Sequence, residues 1–292
     1  MKPALRCAVV GDPIAHSLSP VMHRAAYRQL GVEGRYDALR VPAGALAEAL
    51  APGGPGAELT GVSVTMPLKA EALALAAEAD ELSRRLGVAN TLLRPAPGEP
   101  WRAENHDVAG IVTALTEGGV TTPRSALLWG SGATAHSAVA ALLELGVTQL
   151  WVGARSPERA AEVIAGAQRD GVDARGVPWS APLPPGEVDV VVSALAAPGA
   201  QALLGILDGV PGGWLLPAPV LFDVLYHPWP TPLAAHAAHQ GVQVISGLEM
   251  LLHQAGRQVE RMTGHGPAPL TAMRAAALAE LQARAGHAAG TT

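Results

Sequence analysis

The chain writes its positive charge almost entirely as arginine. Its 20 basic residues divide into 18 Arg and 2 Lys. One Lys is Lys2. The other, Lys69, lies inside the stretch GVSVTMPLKAE, residues 61–71. Lys releases a proton when its surroundings favour the neutral amine, whereas Arg stays charged. Either proton transfer needs a lysine here, or Lys69 is a solvated residue in the first turn of a helix that escaped the bias toward Arg. Other loops also carry polar residues where structure alone does not ask for them. In Gly11–Pro20, Ser17 and Ser19 stand at alternate positions just before a helix opened by Pro20. A helix amino terminus flanked by hydroxyl donors suits a carboxylate. A simple N-cap also accounts for Ser19, but not for Ser17. The segments Gly87–Thr91, with Asn90, and Glu104–Gly110, with Asp107, complete the set.

A second chemistry is written further on. Leu127–Ala135 reads LLWGSGATA, a G-x-G-x-x-A pattern directly after an apolar run and before a helix-length segment. Gly130 permits the tight turn, Gly132 lets a pyrophosphate approach the backbone, and small Ala135 lets helix and strand pack closely. Ser131, Ala133 and Thr134 supply the rest of the turn, with backbone N–H groups aimed at the phosphates. Strand before and helix after is the context that turns a glycine pattern into a dinucleotide site. An NAD site usually places an acid at the end of the next strand. Here that end reads Ala154-Arg155-Ser156, with Arg159 one turn on. Arg presents a fixed fork of donors to a phosphate, so NADP is the expected cofactor.

These loops need elements to hold them. Apolar runs at Arg6–Val10, Tyr36–Val41 and Leu59–Val64 alternate with helical segments from Pro20 to Leu30, at Ala43–Leu50 and onward to Leu86. Val88–Leu93 is extended, and Pro95–Pro100 reads as a hairpin-like turn. This alternation predicts a parallel α/β sheet. After a helix at Val108–Thr116, a second series follows: strands Ala126–Trp129, Gln149–Val152, Val188–Ser193, Val220–Asp223 and Val242–Ile245. Helices fall at Ala133–Leu145, at Pro157–Ala167 and from Thr231. This is the mononucleotide-binding pattern. Two strandless helices, Leu248–Met262 and Leu270–Ala285, then have to pack on something already built.

Composition sets the outer bounds. A chain of 292 residues favours two domains. Its 49% hydrophobic and 15% charged residues describe a globular protein. A net charge of −5 without a basic run gives no footprint for nucleic acid or an anionic membrane. One cysteine, Cys7, in an apolar run, points to a buried thiol in a reducing compartment. With no apolar core for a signal peptide and no membrane-length stretch, the expected location is the cytoplasm. The ten His are scattered, and His236 and His239 lack acid or Cys partners at ligand spacing, so no metal site is expected.

Taken in order along the whole chain, the motifs resemble the shikimate dehydrogenase family, the NADP-dependent enzymes that reduce 3-dehydroshikimate. The resemblance is carried by residues 11–23, Val64–Lys69, Gly87–Thr91, Asn105–Gly110, Asp223–Pro228 with Thr231–Leu233, and Ser246–Ala255. It implies an α/β fold of two domains: a substrate domain at residues 1–108 and 247–292, to which the carboxy-terminal helices return, and a Rossmann-type NADP-binding domain at 109–246. It implies that Ser17 and Ser19 bind the substrate carboxylate and that Thr65, Asn90 and Gln254 bind ring hydroxyls. Lys69 and Asp107 form the catalytic pair, and Tyr226 lies near the substrate. Gly247 and Met250 lie beside the nicotinamide, as does Ser193 of the pair Ser193-Ala194. The molecule is then a small-molecule enzyme, a monomer or homodimer, without nucleic-acid or membrane partners. Departures from the family pattern stand at Arg24, Ser63, His106, Ala154, Ser156 and Ser193-Ala194. Of these, His106 flanks Asp107 and bears on its ionisation or on substrate preference, unless it points away. An NAD-using quinate/shikimate enzyme, a paralogue for a modified shikimate, and a non-catalytic metabolite-binding regulator remain as alternatives. Loss of Lys69 or Asp107 would have marked the last, and both are present.

Overall fold

The computed structural model describes residues 5–179, 188–209 and 215–289, so Lys2 lies outside the described residues. The chain runs β1 (Leu5–Gly11), α1 (Ser19–Leu30), β2 (Gly34–Arg40), α2 (Leu46–Leu50), β3 (Gly61–Val64), α3 (Lys69–Leu75), β4 (Glu78–Ala79), α4 (Glu81–Leu86), β5 (Thr91–Leu93) and β6 (Arg102–Glu104). It continues through α5 (Asp107–Glu117), β7 (Ser125–Trp129), α6 (Ala133–Glu144), β8 (Gln149–Gly153), α7 (Pro157–Arg169), β9 (Asp173–Gly176), β10 (Val190–Ser193), α8 (Ala197–Leu207), β11 (Val220–Asp223), α9 (Pro232–His239) and β12 (Gln243–Ser246). Helices α10 (Gly247–Thr263) and α11 (Leu270–Ala289) close the chain. Two compact units result: Met1–His106 with Leu252–Thr292, and Asp107–Leu251.

The first unit is built on a six-stranded sheet in the order β2-β1-β3-β5-β6-β4. Strands β1, β2 and β3 are parallel, as the alternation of strands and helices predicts. The rest of the sheet is not all parallel: β5 runs antiparallel to both β3 and β6. The reason is local. Residues 94–101 join β5 to β6, too short a connection for the crossover of a dozen or more residues that a parallel return needs. The helical stretch expected to reach Leu86 is likewise interrupted by β4, after which Asp80 restarts it as the N-cap of α4, accepting from the Ser83 N–H at 2.6 Å. Val10, Leu46, Val62, Leu68 and Leu92 fill the core under the sheet, each fully buried. Helix α11 packs on this unit, where Arg284 donates to the His16 carbonyl at 2.7 Å.

The second unit is a six-stranded parallel sheet in the order β12-β11-β10-β7-β8-β9. Renumbered within the unit this is 3-2-1-4-5-6 read from the other edge, the order of a dinucleotide-binding sheet. Helices on both faces explain why its central strands are continuous apolar runs, with Val190, Val191 and Val192 all fully buried. Burying such a side chain stabilises the fold by about 1.5–3 kcal/mol relative to exposure. The helices start on the caps the sequence supplies. Ser156 accepts from the Arg159 N–H at the start of α7, and Thr231 from the Ala234 N–H at the start of α9, each followed by Pro at the first helical position.

Candidate active site

In the first unit the predicted substrate residues gather at the carboxyl ends of β1 and β3, where ligands of α/β sheets bind. The two loops are tied together: the Asp12 N–H donates to the Met66 carbonyl at 3.1 Å, and the Thr65 N–H to Val10 at 3.0 Å. Gly11 makes the approach possible, because a Cβ there would run into the Thr65 methyl and the Met66 carbonyl. Ser17 is half-buried and Ser19 buried. Ser19 is not the N-cap of α1. It is the first helical residue, after Leu18, and its N–H donates to the Ser17 hydroxyl at 3.3 Å. Arg284 of α11 steadies this loop from its carbonyl side.

Thr65 is half-buried, and Lys69 is the first residue of α3 at 7% exposure. A side chain buried to that degree is not the solvated lysine of the alternative reading. The Lys69 carbonyl accepts from the Ala89 N–H at 2.9 Å, which joins α3 to the loop that carries Asn90. Asn90 is 1% exposed and donates through Nδ2 to Gln254 Oε1 at 3.1 Å, so these two predicted ligands do meet.

Beneath them lies a polar network that sequence spacing does not disclose. Tyr36 donates to Ser63 at 2.6 Å, Ser63 to Gln258 Oε1 at 2.7 Å, and Gln258 Nε2 to both the Asn90 carbonyl and the Thr91 hydroxyl. Every member is buried. Ser63, which the sequence marks only as a departure from the family pattern, is a link in this chain. His106 also finds a place here. Its N–H donates to Asn90 Oδ1 at 3.0 Å, and its ring Nε2 lies 3.2 Å from Glu104. Arg261 clasps the same carboxylate. Burial alone raises the Glu104 pKa, but hydrogen bonds from His106 and Arg261 and their charges outweigh it and hold it at about 2. The His106 ring therefore engages Glu104.

The second unit carries most of the predicted nucleotide residues. Gly130 follows β7 with φ 125°, which an L side chain rarely adopts, and a Cβ there would press on the Ala194 carbonyl after β10. This is the point where strand order reverses in the sheet, the expected dinucleotide crevice. Gly132 is the N-cap of α6, with open space where a Cβ would be and no side-chain cap, the kind of helix amino terminus that suits an anion. Ser131, Ala133 and Thr134 are half-buried around it, and Ala135 is fully buried. At the end of β8, Ala154 is half-buried while Arg155 and Arg159 are exposed. Ser156 caps α7 and donates to Glu158 at 2.7 Å. The residues present thus fit a dinucleotide carrying an extra phosphate.

Asp107 is buried as the first residue of α5 in this unit. Tyr226 is half-buried on a segment pinned by Asp223. The Asp223 carboxylate accepts from Thr231 at 2.6 Å and from the Leu225 N–H at 3.2 Å, and burial pushes its pKa up. Ser193 is buried and in register with Asp223 across β10 and β11. Gly247 donates to the Leu225 carbonyl, and a Cβ on it would overlap the Val224 carbonyl, so only glycine fits. Met250 follows on α10, 8% exposed.

Known proteins share this arrangement. Residues 9–92 match the shikimate dehydrogenase substrate binding domain, and residues 247–278 the shikimate 5'-dehydrogenase C-terminal domain. The chain is 33% identical over 288 residues to the shikimate dehydrogenase (NADP(+)) of Synechococcus sp. (strain JA-2-3B'a(2-13)), covering 94% of each protein. It is 35% identical to that of Dinoroseobacter shibae, covering 93% of this chain and 96% of the other. Among solved structures, Mycobacterium tuberculosis shikimate dehydrogenase superposes with a TM-score of 0.78 at 40% identity, covering 94% of this chain and 99% of that one. The Thermus thermophilus shikimate 5-dehydrogenase in complex with NADP(H) and shikimate gives 0.75 at 30% identity, covering 94% and 98%. Similarity of this degree over the full length, with the motifs in the same order, places the chain in the shikimate dehydrogenase family.

Proposed function

We propose that this chain catalyses the reversible NADPH-dependent reduction of 3-dehydroshikimate to shikimate. The observation that carries the reading is whole-length identity to enzymes named for that NADP(+)-dependent activity, in a chain that keeps a buried Lys69 as its one interior lysine. In this reading residues 1–108 and 247–292 form the substrate-binding and catalytic domain, and residues 109–246 the NADP-binding Rossmann-type domain. Ser17 and Ser19 hold the carboxylate, and Thr65, Asn90 and Gln254 the ring hydroxyls, with Tyr226 beside the substrate. Gly130, Gly132 and Ala135, with Ser131, Ala133 and Thr134, cradle the pyrophosphate. Arg155, Ser156 and Arg159 take the 2′-phosphate beside Ala154. Ser193, Gly247 and Met250 line the nicotinamide. NADPH, when bound, supplies the hydride.

The residues of the chain then manage the charge that appears on the ring oxygen. The Lys69 ammonium hydrogen-bonds the carbonyl, stabilises the oxyanion as it forms and gives it a proton. Asp107 is the second member of the proposed catalytic pair. Arg cannot replace Lys69, because it does not release its proton near neutral pH. Turnover of shikimate by Lys69→Ala should fall roughly 10²–10⁴-fold in kcat with KM little changed, the loss expected for an acid–base group. Lys69→Arg, which keeps the charge, should be disabled too. Near-wild-type kcat in either variant removes Lys69 from the chemistry. Among the described residues no helix is long and apolar enough to cross a membrane. Cys7 is buried, its thiol pushed up to about 12 by burial, and suits a reducing compartment. We assign the enzyme to the cytoplasm, acting as a monomer or homodimer.

A further inference from the structure

We infer that Gln258 and Thr91 are positioning residues that lock the amides of Asn90 and Gln254 as hydrogen-bond donors, so that this end of the site receives a ring oxygen and rejects a protonated amine. The inference rests on the proposed shikimate-binding role of Asn90 and Gln254.

The direction of each hydrogen bond is fixed at two points where the backbone leaves no choice. A carbonyl can only accept, and the Asn90 carbonyl accepts from Gln258 at 3.0 Å. That sets Gln258 with Nε2 toward β5 and Oε1 toward Ser63, whose hydroxyl donates to it at 2.7 Å. Tyr36 then donates to Ser63 at 2.6 Å. A backbone N–H can only donate, and that of His106 reaches Asn90 Oδ1 at 3.0 Å. Between these points, Gln258 Nε2 donates to Thr91 Oγ1 at 2.9 Å, and Thr91 passes its own proton to Asn90 Oδ1 at 2.8 Å. The Asn90 oxygen thus receives two donors and its lone pairs are committed inward. Its Nδ2 is turned the other way, donating to Gln254 Oε1 at 3.1 Å, which in turn directs Gln254 Nε2 away from Asn90. In the proposed binding role the pair therefore meets a ring oxygen through N–H groups. A hydroxyl or carbonyl oxygen accepts from them, whereas an ammonium has no lone pair to offer and sets donor against donor. Reversing one amide would oppose like groups along a path whose members are all buried, where an unmade hydrogen bond is costly.

The test uses the purified chain, NADP⁺, shikimate, and a shikimate analogue with an amino group in place of the ring hydroxyl that meets the amides. The wild type should bind the amine roughly tenfold or more weakly than shikimate, the scale of one lost buried hydrogen bond. Thr91→Val and Gln258→Met should raise the KM for shikimate about tenfold with kcat and the KM for NADP⁺ little changed, the pattern of lost uniform binding. Thr91→Ser, which restores the hydroxyl, should recover the wild-type KM. Asn90→Asp puts an acceptor where the donor stood and should narrow the preference for shikimate over the amine. Thr91→Val and Gln258→Met variants that melt like the wild type yet keep its KM overturn the inference. So does equal binding of amine and shikimate by the wild type, or an unchanged preference in Asn90→Asp, and these two readings stand even if the core variants fail to fold. A wild type that does not turn shikimate over overturns the proposed function and this inference together.

Discussion

His23 shows what a single side chain in this unit does to the energetics of the fold. It is fully buried on α1, stacked on Tyr36 with ring centroids 3.8 Å apart and edge-on to Tyr27. Burial pushes its imidazole down to about 3, against a smaller opposing pull from Gln258. The folded state therefore keeps His23 neutral where the unfolded state, with a pKa near 6.5, takes up a proton. The sign follows: between about 3 and 6.5 the unfolded chain binds more protons, so stability falls as pH falls through that window and is constant in this respect above it. His23→Leu should flatten the acid limb, removing a slope that approaches about 1.4 kcal/mol per pH unit. Urea midpoints of both proteins across that range check it; parallel pH profiles would show that His23 does not titrate between the two states. Residues of this kind are hardly legible in the sequence. Lys69, Ser17 and Asn90 stand out because type and local spacing mark them. Ser63 and Gln258 lie 195 positions apart, and no local pattern can announce that they touch. His106 and Glu104 stand two residues apart, but Arg261, which clasps the same carboxylate, can be found only by folding the chain.

The loops between elements carry the specificity, and the elements make those loops possible. In the second unit, β7, the Gly130–Gly132 turn and the uncapped start of α6 are readable because each follows from a residue type: glycine at positive φ, small Ala135 under the helix. The end of β8 is readable in the same way. Arg155 and Arg159 stand exposed over the start of α7, with Glu158 nearby. Arg155→Ala should therefore raise the KM for NADPH far more than that for NADH. Equal changes for both cofactors, measured by initial rates, would reject the 2′-phosphate assignment. Elements whose residues give no clear period escape. The strand β6 has three residues with charges at both ends, β9 reads Asp-Ala-Arg-Gly, and α8 opens on Ala-Pro-Gly. Their places are set by sheet pairing and packing, which outweigh local preference. The antiparallel β5 is half legible: the turn at Pro95–Pro100 shows in the sequence, but not that it reverses part of the sheet.

As a whole molecule the chain forms two compact α/β units, Met1–His106 with Leu252–Thr292, and Asp107–Leu251. Alternating strands and helices foretell two α/β series in outline. The exact turnover points, at His106/Asp107 and Leu251/Leu252, depend on packing that composition does not encode. The similarity to NADP(+)-dependent shikimate dehydrogenases extends across 94% of the chain. The most direct test mixes the purified chain with NADP⁺ or NAD⁺ and with shikimate or quinate and follows the appearance of reduced nicotinamide. Rapid turnover is expected with NADP⁺ and shikimate, and much slower turnover when either is exchanged; no turnover in any of the four mixtures would contradict the proposed function.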